Sequence, residues 1–157
     1  MTSISYDKIF NYFLGLVEDN DFWNSSIDDV TEIMTELLHK AVYNSYVYHL
    51  FTTTSTDDSI QNFQFEMRHE VNEEADIQFV CIAIAKWMKY EWLSPQLNSV
   101  VNTSQFFGGK ENKYYSQANH IAELREMTEL AFKEARDFIR DRNYINNNYL
   151  SNGGLST

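Results

Sequence analysis

The sequence is poor in the residues that build disulfide frameworks, tight turns and basic surfaces. One cysteine, Cys81, excludes an internal disulfide framework. One proline and five glycines disfavour a turn-rich β protein. Only 12 basic residues stand against 23 acidic ones, and the resulting net charge of -11 disfavours sequence-independent binding to DNA phosphates. The 157 residues are 43% hydrophobic and 15% aromatic, which suits one domain with a packed core.

Long apolar runs are also missing. The longest one spans Phe79 to Ala85 and ends at Lys86, whereas a membrane-spanning helix needs about 20 such residues. The first residues lack the basic region and apolar core of a signal peptide. We therefore expect a soluble, intracellular protein.

The charge is distributed unevenly along the chain. Residues 1–109 hold 16 acidic and 5 basic side chains, residues 110–142 hold seven of each, and residues 143–157 hold none. This division predicts a helical domain over residues 1–142 and an extended C-terminal arm over residues 143–157.

Apolar residues recur at helical spacing in four segments, at about 5–17, 27–49, 72–93 and 116–142. The fold prediction is therefore mainly α, a compact bundle of about four helices. The third segment is apolar on nearly every side, as expected of a central helix.

The connections between these segments are less regular. The stretch from Tyr46 to Thr54 has an extended alternative to helix, and residues 52–72 read as an irregular arm or a small hairpin. Ser94-Pro95 predicts the end of the third helix. Residues 96–115 then form a loop, with one short helical turn near 97–101 and a tight turn at 106–109.

Three pairs have a spacing of interest for metal binding. Glu36 with His39 and Glu66 with His69 match the Glu-x-x-His pattern of di-iron bundles, and His120 with Glu123 has the reverse order. Such ligands must project into a bundle core, but Glu36 and His39 fall on the polar face of the second helix. We therefore interpret these pairs as solvated side chains and predict no metal and no cofactor.

Other candidate motifs favour structural interpretations as well. Gly108-Gly109-Lys110 lacks the earlier glycine and the following Ser or Thr of a phosphate loop. Cys81 lies among apolar residues, where a thiol stays protonated and packs. The aromatic stripe with Trp87, Tyr90 and Trp92, together with Met88, is typical of a core helix.

Two stretches together resemble a known family. One runs from Asp76 to Leu97 and ends Glu-Trp-Leu-Ser-Pro-Gln-Leu; the other runs from Lys113 to Arg125 and contains Tyr-Ser-Gln-Ala-Asn. Their order, followed by a long helix and an Asn/Tyr/Gly-rich tail, resembles the head–tail connector (adaptor) proteins of tailed phages that infect low-GC Gram-positive bacteria.

The resemblance implies a structural virion protein rather than an enzyme. Such proteins form a ring, twelve-fold in the expected case, below the portal. They join the DNA-filled head to the next neck or tail protein, and DNA passes without specific binding. We therefore expect this chain in the virion neck, assembled in the host cytoplasm.

Two sets of residues follow as candidate sites. The arm offers apolar side chains for docking on the portal or a neighbouring subunit, with a disordered end as the alternative; they are Tyr144, Ile145, Tyr149, Leu150 and Leu155. Carboxylates facing a DNA channel would repel phosphates; the candidates are Asp28, Asp29, Glu32, Glu36, Glu73, Glu74 and Asp76.

Two other functions remain open from the sequence. The chain is alternatively another neck or tail-completion protein, or a small helical metal-binding bundle with enzymatic activity. Oligomeric state and metal content distinguish a ring-forming connector from a metal-binding enzyme.

Overall fold

The computed structural model describes residues 1–17, 26–106 and 111–145. About 70% of these residues are helical, and they form five helices and one three-stranded sheet, which confirms the mainly α prediction. A four-helix bundle is not confirmed, because a sheet and a very short helix take part in the fold. The elements are β1 (Thr2–Ser5), α1 (Tyr6–Leu14), α2 (Ile27–Val42), α3 (Ser45–Tyr48), β2 (Phe51–Asp57), β3 (Asn62–Met67), α4 (Glu73–Phe106) and α5 (Glu111–Ile145).

The stretch predicted as an irregular arm or small hairpin is a hairpin. β2 pairs with β3 in antiparallel fashion, with Thr54 opposite Phe65 and Thr56 opposite Phe63. β1 pairs with the other side of β3, so the strand order is β1-β3-β2. The alternation of Phe63 and Phe65 with polar residues gave the correct signal, since one face of β3 is buried.

The first predicted helix, expected from about residue 5, forms α1, and a strand that was not predicted precedes it. Thr2–Ser5 is a strand, and the helix begins only at Tyr6 because the preceding residues complete the sheet beside β3. Ser5 stands at the N-cap position but makes no side-chain capping hydrogen bond. The N-terminal strand has no sequence signal of its own; it is defined by its long-range partner.

The second predicted helix breaks earlier than expected. α2 begins after Ser26, whose hydroxyl accepts a hydrogen bond from the Asp29 N–H and so caps the helix. It ends at Val42, and Asn44 caps the short α3 through the Tyr46 N–H. The extended alternative applies only from Phe51 onward, where β2 begins.

The predicted helix stop at Ser94-Pro95 is wrong. α4 continues through Pro95 to Phe106, and the predicted loop over residues 96–115 is therefore largely helical. Pro95 cannot donate a backbone hydrogen bond, but it is exposed, so the freed carbonyl of the preceding turn can meet water. The Gln96 side chain also donates to the Trp92 carbonyl oxygen.

The fourth predicted helix is longer at both ends. α5 begins at Glu111 rather than near Ser116, and it ends at Ile145, so the predicted boundary between domain and arm lies inside a helix. The predicted turn at 106–109 falls outside the described residues except for Phe106, which ends α4. Within the described ranges, no helix combines the length and the apolar character that a membrane crossing requires.

The core surrounds the first half of α4, as the sequence predicts. α1, α2 and α5 all pack against α4, and its buried residues lie on several sides of the helix. They are Phe79, Val80, Cys81, Ala83, Ile84, Ala85, Trp87 and Met88. The buried side chains of α1 and the β3 phenylalanines join the same core.

Candidate functional site

An open groove with a volume of 540 Å³ lies on the polar side of α2. α2 is amphipathic: Leu37, Leu38 and Ala41 pack into the core, so the opposite positions of the same helix must face outward. The lining comprises Asp28, Thr31, Glu32, Thr35, Glu36, His39 and Gln61. Three of the predicted carboxylates therefore share one surface, and it is negatively charged.

The predicted carboxylates of α2 are all exposed. Asp29 is the hydrogen-bond partner of the Ser26 hydroxyl at the helix start, and Glu36 forms an ion pair of 2.7 Å with Lys40. The hydrogen bond with Lys40, more than its charge, lowers the pKa of Glu36. Apart from Lys40, α2 carries no lysine or arginine, so its outer face is dominated by negative charge.

The carboxylates at the start of α4 have two different environments. Glu73 and Glu74 are exposed in the first turn, but they do not line the α2 groove. Asp76 is only 4% exposed; it pairs with Arg142 of α5 and accepts a hydrogen bond from the Val71 N–H. The prediction that Asp76 faces a channel is therefore wrong, because its charge is compensated inside the protein.

One end of the groove is held by the turn between β2 and β3. Asp58 in this turn accepts a hydrogen bond of 2.7 Å from the Tyr6 hydroxyl. His39 of α2 places Nε2 2.9 Å from Asp58 Oδ1. The Tyr6 N–H also donates to the carbonyl oxygen of Gln61, which has a left-handed backbone with φ of 49°. These contacts fix the turn against both α1 and α2.

The ionisation of this cluster follows from its hydrogen bonds. Burial, reinforced by the Asp58 carboxylate, raises the pKa of Tyr6 well above its usual range. The hydrogen bond from Tyr6, followed by that from His39, lowers the pKa of Asp58. At neutral pH the cluster therefore holds a neutral phenol against an ionised carboxylate.

The sequence did not reveal the contact among Tyr6, His39 and Asp58, because these residues lie far apart in the chain. The sequence pattern relates His39 only to Glu36, at the spacing of a metal-ligand pair. In the structure, His39 instead contacts Asp58, and Glu36 pairs with Lys40.

The other predicted pairs are also apart from any metal-binding group. Glu66 accepts hydrogen bonds from the Thr52 and Thr53 hydroxyls, while His120 and Glu123 are exposed. In the part of the chain that the structure describes, no three His, Cys, Asp or Glu side chains form a metal-binding group.

The remaining sequence candidates lie elsewhere. Cys81 is buried, and burial raises the pKa of its thiol to about 11. Trp87 and Met88 are core residues. Tyr144 and Ile145 belong to the last turn of α5, whereas Tyr149, Leu150, Leu155 and the Gly108-Gly109-Lys110 motif lie outside the described residues.

We expect Asp58 to contribute stability that depends on pH. Because folding lowers its pKa, its contribution is present above the unfolded value of about 4 and is lost as the pH falls through the lower folded value. Urea unfolding between pH 2 and pH 7 should show the wild type more stable than Asp58→Asn at neutral pH. The two curves should converge in acid.

A Tyr6→Phe variant provides the matched control, since it removes only the hydroxyl that donates to Asp58. It should raise the pKa of Asp58 toward its usual value in a carbon-detected NMR titration. A constant difference between wild type and Asp58→Asn across the whole pH range would contradict this assignment.

Comparison with known proteins adds no relative. Neither family models, nor curated proteins, nor solved structures give a match to this chain.

Proposed function

We propose that this chain is a structural connector of a tailed-phage neck, which forms a ring below the portal and joins the capsid to the tail. The observation that carries the proposal is the outer face of α2, where Asp28, Asp29, Glu32 and Glu36 are all exposed on one helix. A face of this kind suits a wall along which DNA must pass without being held.

The proposed mechanism is electrostatic. Exposed carboxylates repel phosphates over about one Debye length, roughly 8–10 Å at physiological salt. In a ring, one copy of α2 from each subunit would repeat this negative face around the channel. Glu73 and Glu74 are exposed and remain candidates for the same wall, whereas Asp76 is not one.

Exposed aromatic side chains offer surfaces for subunit contacts. Tyr43, Tyr46 and Tyr48 lie within six residues of one another and are 56%, 42% and 49% exposed. Aromatic residues are enriched at protein interfaces. We assign such contacts to neighbouring subunits, the portal and the next neck protein, and we keep the arm residues as a second contact.

Assembly is the first test. Native mass spectrometry and negative-stain microscopy of the purified chain, alone and with portal, should show a closed ring, with twelve subunits as the expected number. A stable monomer that stays monomeric with portal would overturn the proposal. A monomer with stoichiometric iron or manganese would favour the metal-binding alternative.

The charge of α2 is the second test. A ring of Asp28→Lys/Glu32→Lys subunits should retain double-stranded DNA in a gel-shift assay, and salt should weaken that binding. The wild-type ring should not retain DNA.

The matched control changes the same number of exposed carboxylates on α5, with Glu126→Lys/Glu129→Lys. If this control retained DNA as well as the α2 variant does, the position of the charges would not matter. The channel-facing assignment of α2 would then fail.

A further inference from the structure

The turn that closes one end of the α2 groove is held unequally by its two neighbours. Two hydrogen bonds join it to α1: the Tyr6 hydroxyl donates to Asp58, and the Tyr6 N–H donates to the carbonyl oxygen of Gln61. Tyr6 is fully buried, so this attachment is protected from water. On the other side, His39 Nε2 of α2 lies 2.9 and 3.1 Å from the two carboxylate oxygens of Asp58. In the described part of the chain, no other hydrogen bond joins α2 to this turn.

The contact between His39 and Asp58, which we call the clasp, is open to solvent. The two side chains are 32% and 58% exposed. Exposed ion pairs contribute little free energy. α2 itself packs on α4 rather than on the hairpin. The clasp can therefore open while the cores of both helices stay packed.

Both sides of the clasp carry negative charge. On α2, the groove is lined by Asp28, Glu32 and Glu36. On the hairpin, β2 ends at Asp57 and the turn begins with Asp58. Hydrogen bonds lower the pKa of both Glu36 and Asp58, so these two carboxylates stay ionised at neutral pH. Like charges on the two sides of the groove repel each other.

His39 is the cation available between the two sides. It is the one side chain in the described lining of the groove that can carry a positive charge. Lys40, at the next position, pairs with Glu36 at 2.7 Å. Tyr43 stacks on the His39 ring, with ring planes at 11°. The titratable groups that surround the clasp are thus Tyr6 of α1, Asp57 and Asp58 of the hairpin, and Glu36, Lys40 and Tyr43 of α2.

We propose that His39 is a pH-dependent switch, which holds the hairpin turn against α2 when it is protonated and lets the groove open when it is neutral. A histidine ordinarily changes charge between about pH 5 and pH 8. Charged His39 attracts the ionised Asp58. Neutral His39 offers at most a hydrogen bond, and the carboxylates on the two sides then repel each other. The clasp should therefore be closed in mild acid and weaken as the pH rises.

Spin-label distances test this switch. Labels on Ile33→Cys in α2 and Ile60→Cys in the turn use two exposed positions, whereas the thiol of Cys81 is buried and protected from labelling. Double electron–electron resonance should give mainly one distance at about pH 5.5. At about pH 8, the population of a longer distance should rise about threefold, the size of effect that an exposed ion pair allows.

Two variants assign the response to the clasp. His39→Gln removes the charge and keeps a hydrogen-bonding side chain, so the longer distance should be populated equally at both pH values. Asp58→Asn leaves His39 intact but removes its charged partner, and it should lose the response as well. His120→Gln, at an exposed histidine of α5, is the matched control and should respond as the wild type does.

Two results would overturn the inference. A wild-type distance that is the same at both pH values would show that the charge of His39 does not hold the turn. A response that persists in His39→Gln or in Asp58→Asn would assign it to another group. The wild-type comparison needs no change at the clasp, so it decides even where a variant fails to fold. The measurement uses the single chain, and formation of a ring therefore bears on the proposed function alone.

Discussion

An Arg142→Ala variant should have a free energy of unfolding about 3–5 kcal/mol lower than the wild type. Arg142 is the cationic partner of Asp76, and the side chains of the two residues are only 12% and 6% exposed. Its guanidinium also lies 4.1 Å from the centre of the Phe79 ring. Loss of the side chain leaves a buried carboxylate without its cation, which is more costly than loss of a surface pair. Urea denaturation followed by circular dichroism measures the difference.

Arg140 is the matched control for this prediction. It lies two residues away, is 62% exposed, and forms surface ion pairs with Asp137 and Asp141. Arg140→Ala should cost no more than about 1 kcal/mol. The double variant Arg142→Ala/Asp76→Asn should recover part of the stability, because the unpaired charge is removed. Equal losses for the two arginine variants would show that the buried pair has no special role.

A Trp87→Ala variant should lose a similar amount, about 3–5 kcal/mol. Trp87 is fully buried and stacks on Tyr46, with ring centres 5.3 Å apart. Tyr90 and Phe132 meet it edge-on at 5.7 and 5.5 Å. The residue thus connects α4 to α3 and α5, and alanine would leave a cavity between three helices. Circular dichroism is the suitable probe, since the substitution removes a fluorophore.

Trp87→Phe distinguishes packing from hydrogen bonding. The Trp87 Nε1–H has no hydrogen-bond partner in the described part of the chain, so its removal costs no bond. We expect a loss of about 1–3 kcal/mol, from the smaller ring alone. Tyr48→Ala, at a half-exposed aromatic position on α3, should stay below about 1 kcal/mol. A Phe variant as unstable as the Ala variant would contradict this explanation.

Local and periodic features of the fold were readable from the sequence. Ser26 and Asn72 are residue types that favour helix starts, and each side chain accepts a hydrogen bond from the backbone N–H three positions later. The apolar character of residues 77–93 correctly predicted a central helix, since a helix that is apolar on nearly every side must be surrounded by other elements. The buried thiol of Cys81 followed from the same pattern.

The sequence misled where a long-range partner overrides a local preference. Pro95 predicts the end of a helix, yet α4 continues through it to Phe106 and packs on α5. Thr2–Ser5 has no strand signal of its own but forms β1, because β3 offers it an edge. Asp76 resembles its exposed neighbours in the first turn of α4, yet it is buried because Arg142, 66 residues later, reaches it.

By itself, the sequence determined the mainly helical class, the central position of α4 and the acidic polar face of α2. These depend on composition and on spacings of a few residues, which the chain carries wherever it folds. Only the tertiary structure decided which carboxylates are paired, that His39 meets Asp58 rather than a metal partner, and that β3 lies between β1 and β2 in the sheet. Those contacts join residues 19 to 66 positions apart, and no local pattern encodes such a distance.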